Sequence, residues 1–314
     1  MAKLLMGGMS ADRNENDPPR HTGGDRIRSY AGMAAIADSY DGFVLDLWGV
    51  LHDGERVYDG VIDTLARLKS CNKALVAVSN APHREHVLFE RMAHIGIPRH
   101  LYDGAITAGD LVHEELKSGR DPLFARLGHR YLLIGLETHT AIVEGLGYIR
   151  AGAPAEADFV LNTGPREVDQ TVDDYRALLE SCAKLGLPMV CANPDRAVIR
   201  DGRLVICGGA LAEHYEAMGG AVILRGKPGT AIYDAALARS GIAPRHRIAV
   251  VGDSMETDIR GAANAGLDSV LVTGGLHRRE LDAQAGNIAD VKSVARLAGR
   301  HGVWPTMTVP AFIW

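Results

Sequence analysis

Cysteine is scarce: Cys71, Cys182, Cys191 and Cys207, with no CxxC pair among them. That spacing supports neither a zinc site nor a disulfide framework and suits buried thiols in a reducing compartment. Positive charge is not in excess either. The formal net charge is -5 and the pI about 6.2, and no Lys/Arg run forms a stripe, so a nucleic-acid partner is not expected. No segment approaches the ~18 continuous apolar residues of a membrane span. The start, MAKLLMGGMS, is too short an apolar stretch for a secretory signal, and the polar segment ADRNENDPPRHTGG follows it. The expectation is a cytoplasmic protein with no membrane partner and a flexible segment over residues 1–25. Absent too are a solenoid repeat and a GxGxxG after the first strand, which makes a nucleotide-dependent oxidoreductase a poor reading.

What is present is an ordinary globular composition, 46% hydrophobic and 23% charged over 314 residues, enough for two domains. FVLDLWGVL predicts a buried strand running into a Gly turn, IDTLARLKSC a helix, KALVAVSN a strand, and HREHVLFERMAHIG a helix closed by Gly96. The rhythm returns with AIYDAALARSG, HRIAVVGD, METDIRGAANAG and DSVLVTGG, where Thr257 is placed to cap a helix. Between them RYLLIGL, THTAIVEGLGY, DFVLNTG, VDDYRALLESCAKLG and LPMVCANPD make a second strand–helix cycle. The pattern predicts an α/β fold: a core of residues 26–104 and 219–314 with a mostly parallel sheet, and an inserted α/β unit over 105–218.

Several strands end in polar residues. Ligands of open parallel sheets bind outside the carboxyl ends of their strands, so chemistry is expected where Asp46, Ser79, Asn80 and Asp253 emerge. Asp46 suits a metal ligand, a carboxylate nucleophile or a turn cap. Ser79 and Asn80 suit either a phosphate oxygen or an ordinary turn. Lys227, between glycines, is a compact charge for phosphate or a solvated lysine. Asp253 and Asp258 suit a hard cation such as magnesium, or a helix start decorated by acids.

Taken together, D46xxGxL, SN80, GK227P and GD253xxxTD258 resemble the four motifs of the haloacid dehalogenase superfamily. DLWGVLHDG, SNAP, CANPD, GKP and VGDSMETDIRGAANAG are similar to its capped class IIA, NagD-like or 4-nitrophenylphosphatase-like branch. The resemblance covers about Asp41 to Gly275. It implies a Rossmann-like core with an inserted cap, and a magnesium-dependent phosphatase acting on a sugar or other small-metabolite phosphate. Asp46 would attack phosphorus and form an aspartyl-phosphate. Ser79 would bind the phosphoryl group, with the Asn80 amide beside it. Lys227 would neutralise that group and Asp46. Magnesium would be held by Asp46, the Trp48 carbonyl, Asp253 and, through water or by orientation, Asp258. Asn193 and Asp195 would belong to the cap segment over the leaving group. Caps of this type also take part in homodimers.

One position departs from that pattern. Phosphatases of the superfamily carry a second Asp two residues after the nucleophile, as acid and base; here the residue is Trp48. Indole only donates a hydrogen bond. General acid–base catalysis is worth ~10²–10⁴-fold, so turnover survives its loss best where the leaving group needs no proton. His52, His83 and Asp53 are nearby substitutes. The alternatives are a phosphometabolite-binding protein with weak or vestigial phosphatase activity and, as a different hydrolase, a dehalogenase.

Overall fold

The computed structural model describes residues 27–200, 203–242, 245–283 and 286–314; the expected flexible segment 1–25 lies outside them. In chain order the strands are β1 (Arg28–Ser29), β2 (Gly42–Leu45), β3 (Ala74–Ser79), β4 (Gly104–Thr107), β5 (Arg130–Ile134), β6 (Ile149–Arg150) and β7 (Phe159–Asn162). They continue with β8 (Met189–Cys191), β9 (Ala197–Arg200), β10 (Arg203–Ile206), β11 (Val222–Leu224), β12 (Ile248–Gly252), β13 (Asp268–Val272) and β14 (Met307–Val309). A seven-stranded sheet runs β1-β14-β13-β12-β2-β3-β4, and a five-stranded sheet runs β11-β8-β7-β5-β6. Every pairing in both is parallel, whereas β9 and β10 form a separate antiparallel pair.

Alternation along each strand builds the core. Phe43, Leu45, Leu75, Ala77, Ala249 and Val251 face one buried cluster; Val44, Val76, Val78, Ile248 and Val250 face the opposite one. A sheet covered on both faces has apolar residues at consecutive positions, which is why these segments read as unbroken apolar runs. Each such Val, Leu, Ile or Phe contributes roughly 1.5–3 kcal/mol by leaving water. Helix Val61–Ser70 lays Val61, Leu65 and Leu68 against the first cluster, at one-turn spacing. Helix Thr230–Ser240 lays Ile232, Tyr233, Ala236 and Leu237 against the second.

The strand at FVLDLWGVL ends at Leu45 and runs into the expected glycine turn, where Leu51 N–H turns back to Leu47 O at 2.8 Å and Gly49 adopts φ +74°. Two local expectations change. THTAIVEGLGY is not an α-helix: a 3₁₀ helix covers Glu137–Ile142 and ends at Val143, and the turn that follows holds Gly145 and Gly147 at φ +74° and +77°, where an α-helix cannot continue. Thr257 is not a cap; Ser254 is, its Oγ accepting the Thr257 N–H at 3.3 Å. The sheets also exchange the chain slightly later than 105 and 218, since β4 runs to Thr107 in the large sheet and β11 still pairs with β8 in the small one. Among the described residues, no helix is long and apolar enough to cross a membrane.

Candidate active site

β2 lies between β3 and β12, with Leu45 opposite both Ala77 and Val251. Their carboxyl ends therefore deliver Asp46, Ser79 and Asp253 to one edge of the sheet. Asp46 N–H still bonds Val251 O, at 2.9 Å, so its backbone is held before its side chain emerges. Lys227 arrives from the segment that returns from the smaller sheet.

Carboxylate oxygens of Asp46, Asp253 and Asp258 lie within 4.8 Å of one another. Lys227 Nζ is 2.7 Å from Asp46 Oδ1 and 2.7 Å from Asp258 Oδ1. Asp258 Oδ2 accepts the Ser254 N–H at 3.1 Å, and Asp253 Oδ2 accepts the Leu276 N–H at 2.7 Å. Lys227, Asp253 and Asp258 are buried. Burial works against the Lys227 ammonium, but the Asp258 and Asp46 carboxylates outweigh it and hold its pKa well up. Burial, then the charge of Asp46, raises the Asp253 and Asp258 carboxyls. One ammonium thus faces three crowded acids.

That imbalance tests whether a metal fits. Hard oxygen donors, converging and short of positive charge, match the preference of a divalent cation such as magnesium. The residues present fit the ion, with Asp46, Asp253 and Asp258 as its side-chain neighbours.

Asn80 ties the site together. Its Oδ1 accepts the Lys227 N–H at 2.7 Å, while its Nδ2 donates to Lys227 O at 3.2 Å and to Asp195 Oδ1 at 2.8 Å. Asp195 is therefore brought to the Lys227 loop, and burial raises its carboxyl although Lys227 pulls the other way. Ser79 is buried, its Oγ accepting the Ala81 N–H at 3.1 Å. Asn193 is turned instead toward its own unit, where its carbonyl accepts the Cys191 thiol at 3.3 Å.

Trp48 lies along the turn, edge-on to His52 with ring centroids 5.7 Å apart. Gly54, at φ +101°, makes room for it, since a Cβ there would come 2.2 Å from the indole. His52 is buried, and its Nδ1 accepts the Gly54 N–H at 2.9 Å. Burial, with the Arg91 charge, pushes both His52 and His83 down to about 4. Neutral at pH 7, neither carries the proton that a general acid must give. Asp53 caps its own turn by accepting the Glu55 and Arg56 N–H groups.

Other neighbours carry weak sequence signals. Tyr233, buried in a helix, donates to Thr257 O at 3.2 Å and feels Asp258 and Lys227. Its spacing reads only as a core position. Leu276 and His277 follow a strand end already spent on Gly274 and Gly275, so nothing in the pattern marks them. Gly49 was visible as a turn, but its closeness to Asp253 was not: a Cβ would fall 1.7 Å from Asp253 Oδ2.

The haloacid dehalogenase-like hydrolase family matches residues 43–149, and a HAD-hydrolase-like family matches 224–299. A Brucella suis hydrolase of the haloacid dehalogenase-like family is 32% identical, with TM-score 0.76, over 90% of this chain and 99% of that one. The chain belongs to the haloacid dehalogenase-like hydrolases. Within them it falls in the capped class IIA branch. Glycerol-3-phosphate phosphatase of Gallus gallus is 28% identical over 82% of this chain and 88% of its own length. Human chronophin is 29% identical over 83% and 90%. The glycerol phosphate phosphatase of Mycobacterium tuberculosis, solved in complex with magnesium, shares the fold at 22% identity and TM-score 0.62, over 82% of this chain and 78% of that one.

Proposed function

We propose that this haloacid dehalogenase-like hydrolase is a magnesium-dependent phosphomonoesterase of small phosphorylated metabolites, with Asp46 as its nucleophile. The observation that carries this is Lys227 Nζ, 2.7 Å from both Asp46 and Asp258 inside a trio of acids of which Asp253 and Asp258 are buried. The phosphatase names of the relatives support the reaction class.

Lys227 fixes Asp46 through Oδ1, which leaves Oδ2 to attack phosphorus. The Asp46 O–P bond forms as the ester P–O bond breaks, giving an aspartyl-phosphate and the leaving alcohol's oxyanion. Water then cleaves the acyl phosphate, returning Asp46 and inorganic phosphate. A carboxylate attacking a phosphate dianion meets like-charge repulsion, and Lys227 offsets part of it as charge spreads over the equatorial oxygens. Bound among Asp46, Asp253, Asp258 and the Trp48 carbonyl, magnesium would supply further neutralisation as a Lewis acid. Ser79 is the hydroxyl for the phosphoryl group. The unit around β5–β11 serves as the cap, joined to the chemistry through Asp195 and Asn80, with Asn193 shaping the same segment.

Trp48 selects among esters. With indole in the acid's position and His52 and His83 neutral, the alcohol leaves as its own anion, so aryl phosphates are favoured over alkyl ones. The same observation supports a second reading, a phosphometabolite-binding protein with weak turnover. A screen of phosphorylated metabolites with and without magnesium, reading released phosphate, separates the two. Phosphate release by Asp46→Asn equal to the parent's would overturn the nucleophile.

A further inference from the structure

The loop after β13 touches the acid turn at two adjacent residues. Leu276 N–H donates to Asp253 Oδ2 at 2.7 Å, and the next residue, His277, accepts the Met255 N–H on its Nε2 at 3.2 Å. Its other nitrogen, Nδ1, lies 2.8 Å from Glu280 Oε1, and Glu280 Oε2 accepts from Arg300 Nη2 at 2.8 Å. A backbone N–H only donates, so Nε2 carries the lone pair and Nδ1 the proton. Glu280 thereby sets both the tautomer and the ring's direction. His277 is buried, and its hydrogen bond holds the Glu280 carboxyl below the usual range.

The gripped turn is unusual. Residues Met255–Ile259 form one π turn, and Asp258 and Ile259 N–H both reach Ser254 O, at 3.1 Å each. Ser254 N–H is taken by Asp258 Oδ2 and Thr257 N–H by Ser254 Oγ. Met255 N–H points the other way, into the His277 ring. Gly275 lets the loop come this close, because a Cβ there would sit 2.3 Å from Asp253 Oδ2. Isolated π turns recur at functional sites and hold only where their surroundings enforce them.

We infer that His277, oriented by Glu280, is a positioning residue that holds the Ser254–Asp258 turn so that Asp253 and Asp258 converge on Asp46. Its effect on ion binding rests on the metal reading proposed above; its effect on the turn does not.

The test uses His277→Ala, His277→Gln and Glu280→Ala in the full chain. Gln can place Oε1 where Nε2 stands and accept the Met255 N–H. Amide exchange is measured without metal, and magnesium chloride is titrated by calorimetry. His277→Ala is expected to speed exchange at 254–257 while β5 and β7 keep parental protection. It should also weaken magnesium binding ~10- to 100-fold, the usual effect of losing a partner behind a ligand. His277→Gln should recover most of both, and Glu280→Ala should fall between. Parental exchange and affinity in His277→Ala would overturn the inference. So would a loss of protection throughout the protein that His277→Gln does not recover, the mark of a merely structural histidine. If His277→Ala does not fold, Glu280→Ala decides by the same two measurements. A parent that binds no magnesium defeats the metal reading alone, and exchange at 254–257 still decides the positioning role.

Discussion

His83, on the loop leaving β3, stands edge-on to His139 of the inserted unit, their ring centroids 4.9 Å apart. His139 Nδ1 lies 2.8 Å from Thr163 Oγ1, whose own proton goes to Ile134 O at 3.2 Å. Arg91 approaches His83 Nε2 at 3.4 Å. Two uncharged rings thus carry a contact between the two sheets' units, with a guanidinium beside them.

Acid should weaken the fold through this contact. Burial lowers both rings from the ordinary histidine value of about 6.5 to about 4 in the folded chain. The unfolded state therefore takes up protons first, and stability falls with pH where it does so. The contribution is complete above about 6.5, shrinks from there to about 4, and is gone below. Urea midpoints between pH 7.5 and 4 should show that slope, and His139→Gln should flatten it. An equal slope in the variant would reject the assignment.

Gly49→Ala should disable the acid cluster. Its φ of +74° and a Cβ 1.7 Å from Asp253 Oδ2 leave no room for a methyl group. The strain is worth about 1–3 kcal/mol, and Asp253 must also move. Loss of magnesium binding with a modest drop in melting temperature is the expected pair of results.

Lys227→Met should expose the crowding of the acids. Removing one partner of a buried ion pair costs roughly 3–5 kcal/mol. Saturating magnesium should restore part of that, because a ligand that binds only the native state stabilises it. Urea unfolding with and without the ion measures both.

Trp48→Asp should change which esters are cleaved. Single-turnover rates in the parent should fall steeply as the leaving group's pKa rises, with 4-nitrophenyl phosphate far ahead of alkyl phosphates. The variant should narrow the gap by up to ~10²-fold, the worth of a positioned acid. The gain is reduced by the cavity left over Gly54. A flat dependence in the parent, with chemistry rate-limiting, would mean another group donates the proton.

Much of this was legible because polar residues interrupt apolar runs. Asp46, Asn80, Lys227 and Asp253 each follow a strand end or a glycine, Ser79 closes its strand, and Asp258 lies in the turn after Asp253, so the parallel sheet brings Asp46, Ser79 and Asp253 to one edge. β1 and β14 escaped notice, since two or three residues carry no period. The helix expected at THTAIVEGLGY failed because glycine conformation, not apolar spacing, governs its end. His277 and the Asn80–Asp195 bond were invisible for another reason. Both join residues far apart in sequence, and their chemistry appears only when the partner atom is in place.

The route of the chain has a consequence for descent. It leaves the large sheet after Thr107 and returns through Arg225 and Gly226, so the five-stranded sheet is a single excursion. Strands β12, β2 and β3, whose ends deliver Asp253, Asp46 and Ser79, are consecutive in the large sheet, with β2 paired to both neighbours, and none of them pairs with a strand of the excursion. On the phosphatase reading proposed above, substitutions in β5–β11 should alter which alcohols are admitted more than they alter the chemistry at phosphorus. The segment around Asp195, bonded to Asn80 beside Lys227, meets both demands. A lineage built on that reading would reach new substrates by drift in the excursion, with the Asp195 carboxylate held in place by its bond to Asn80.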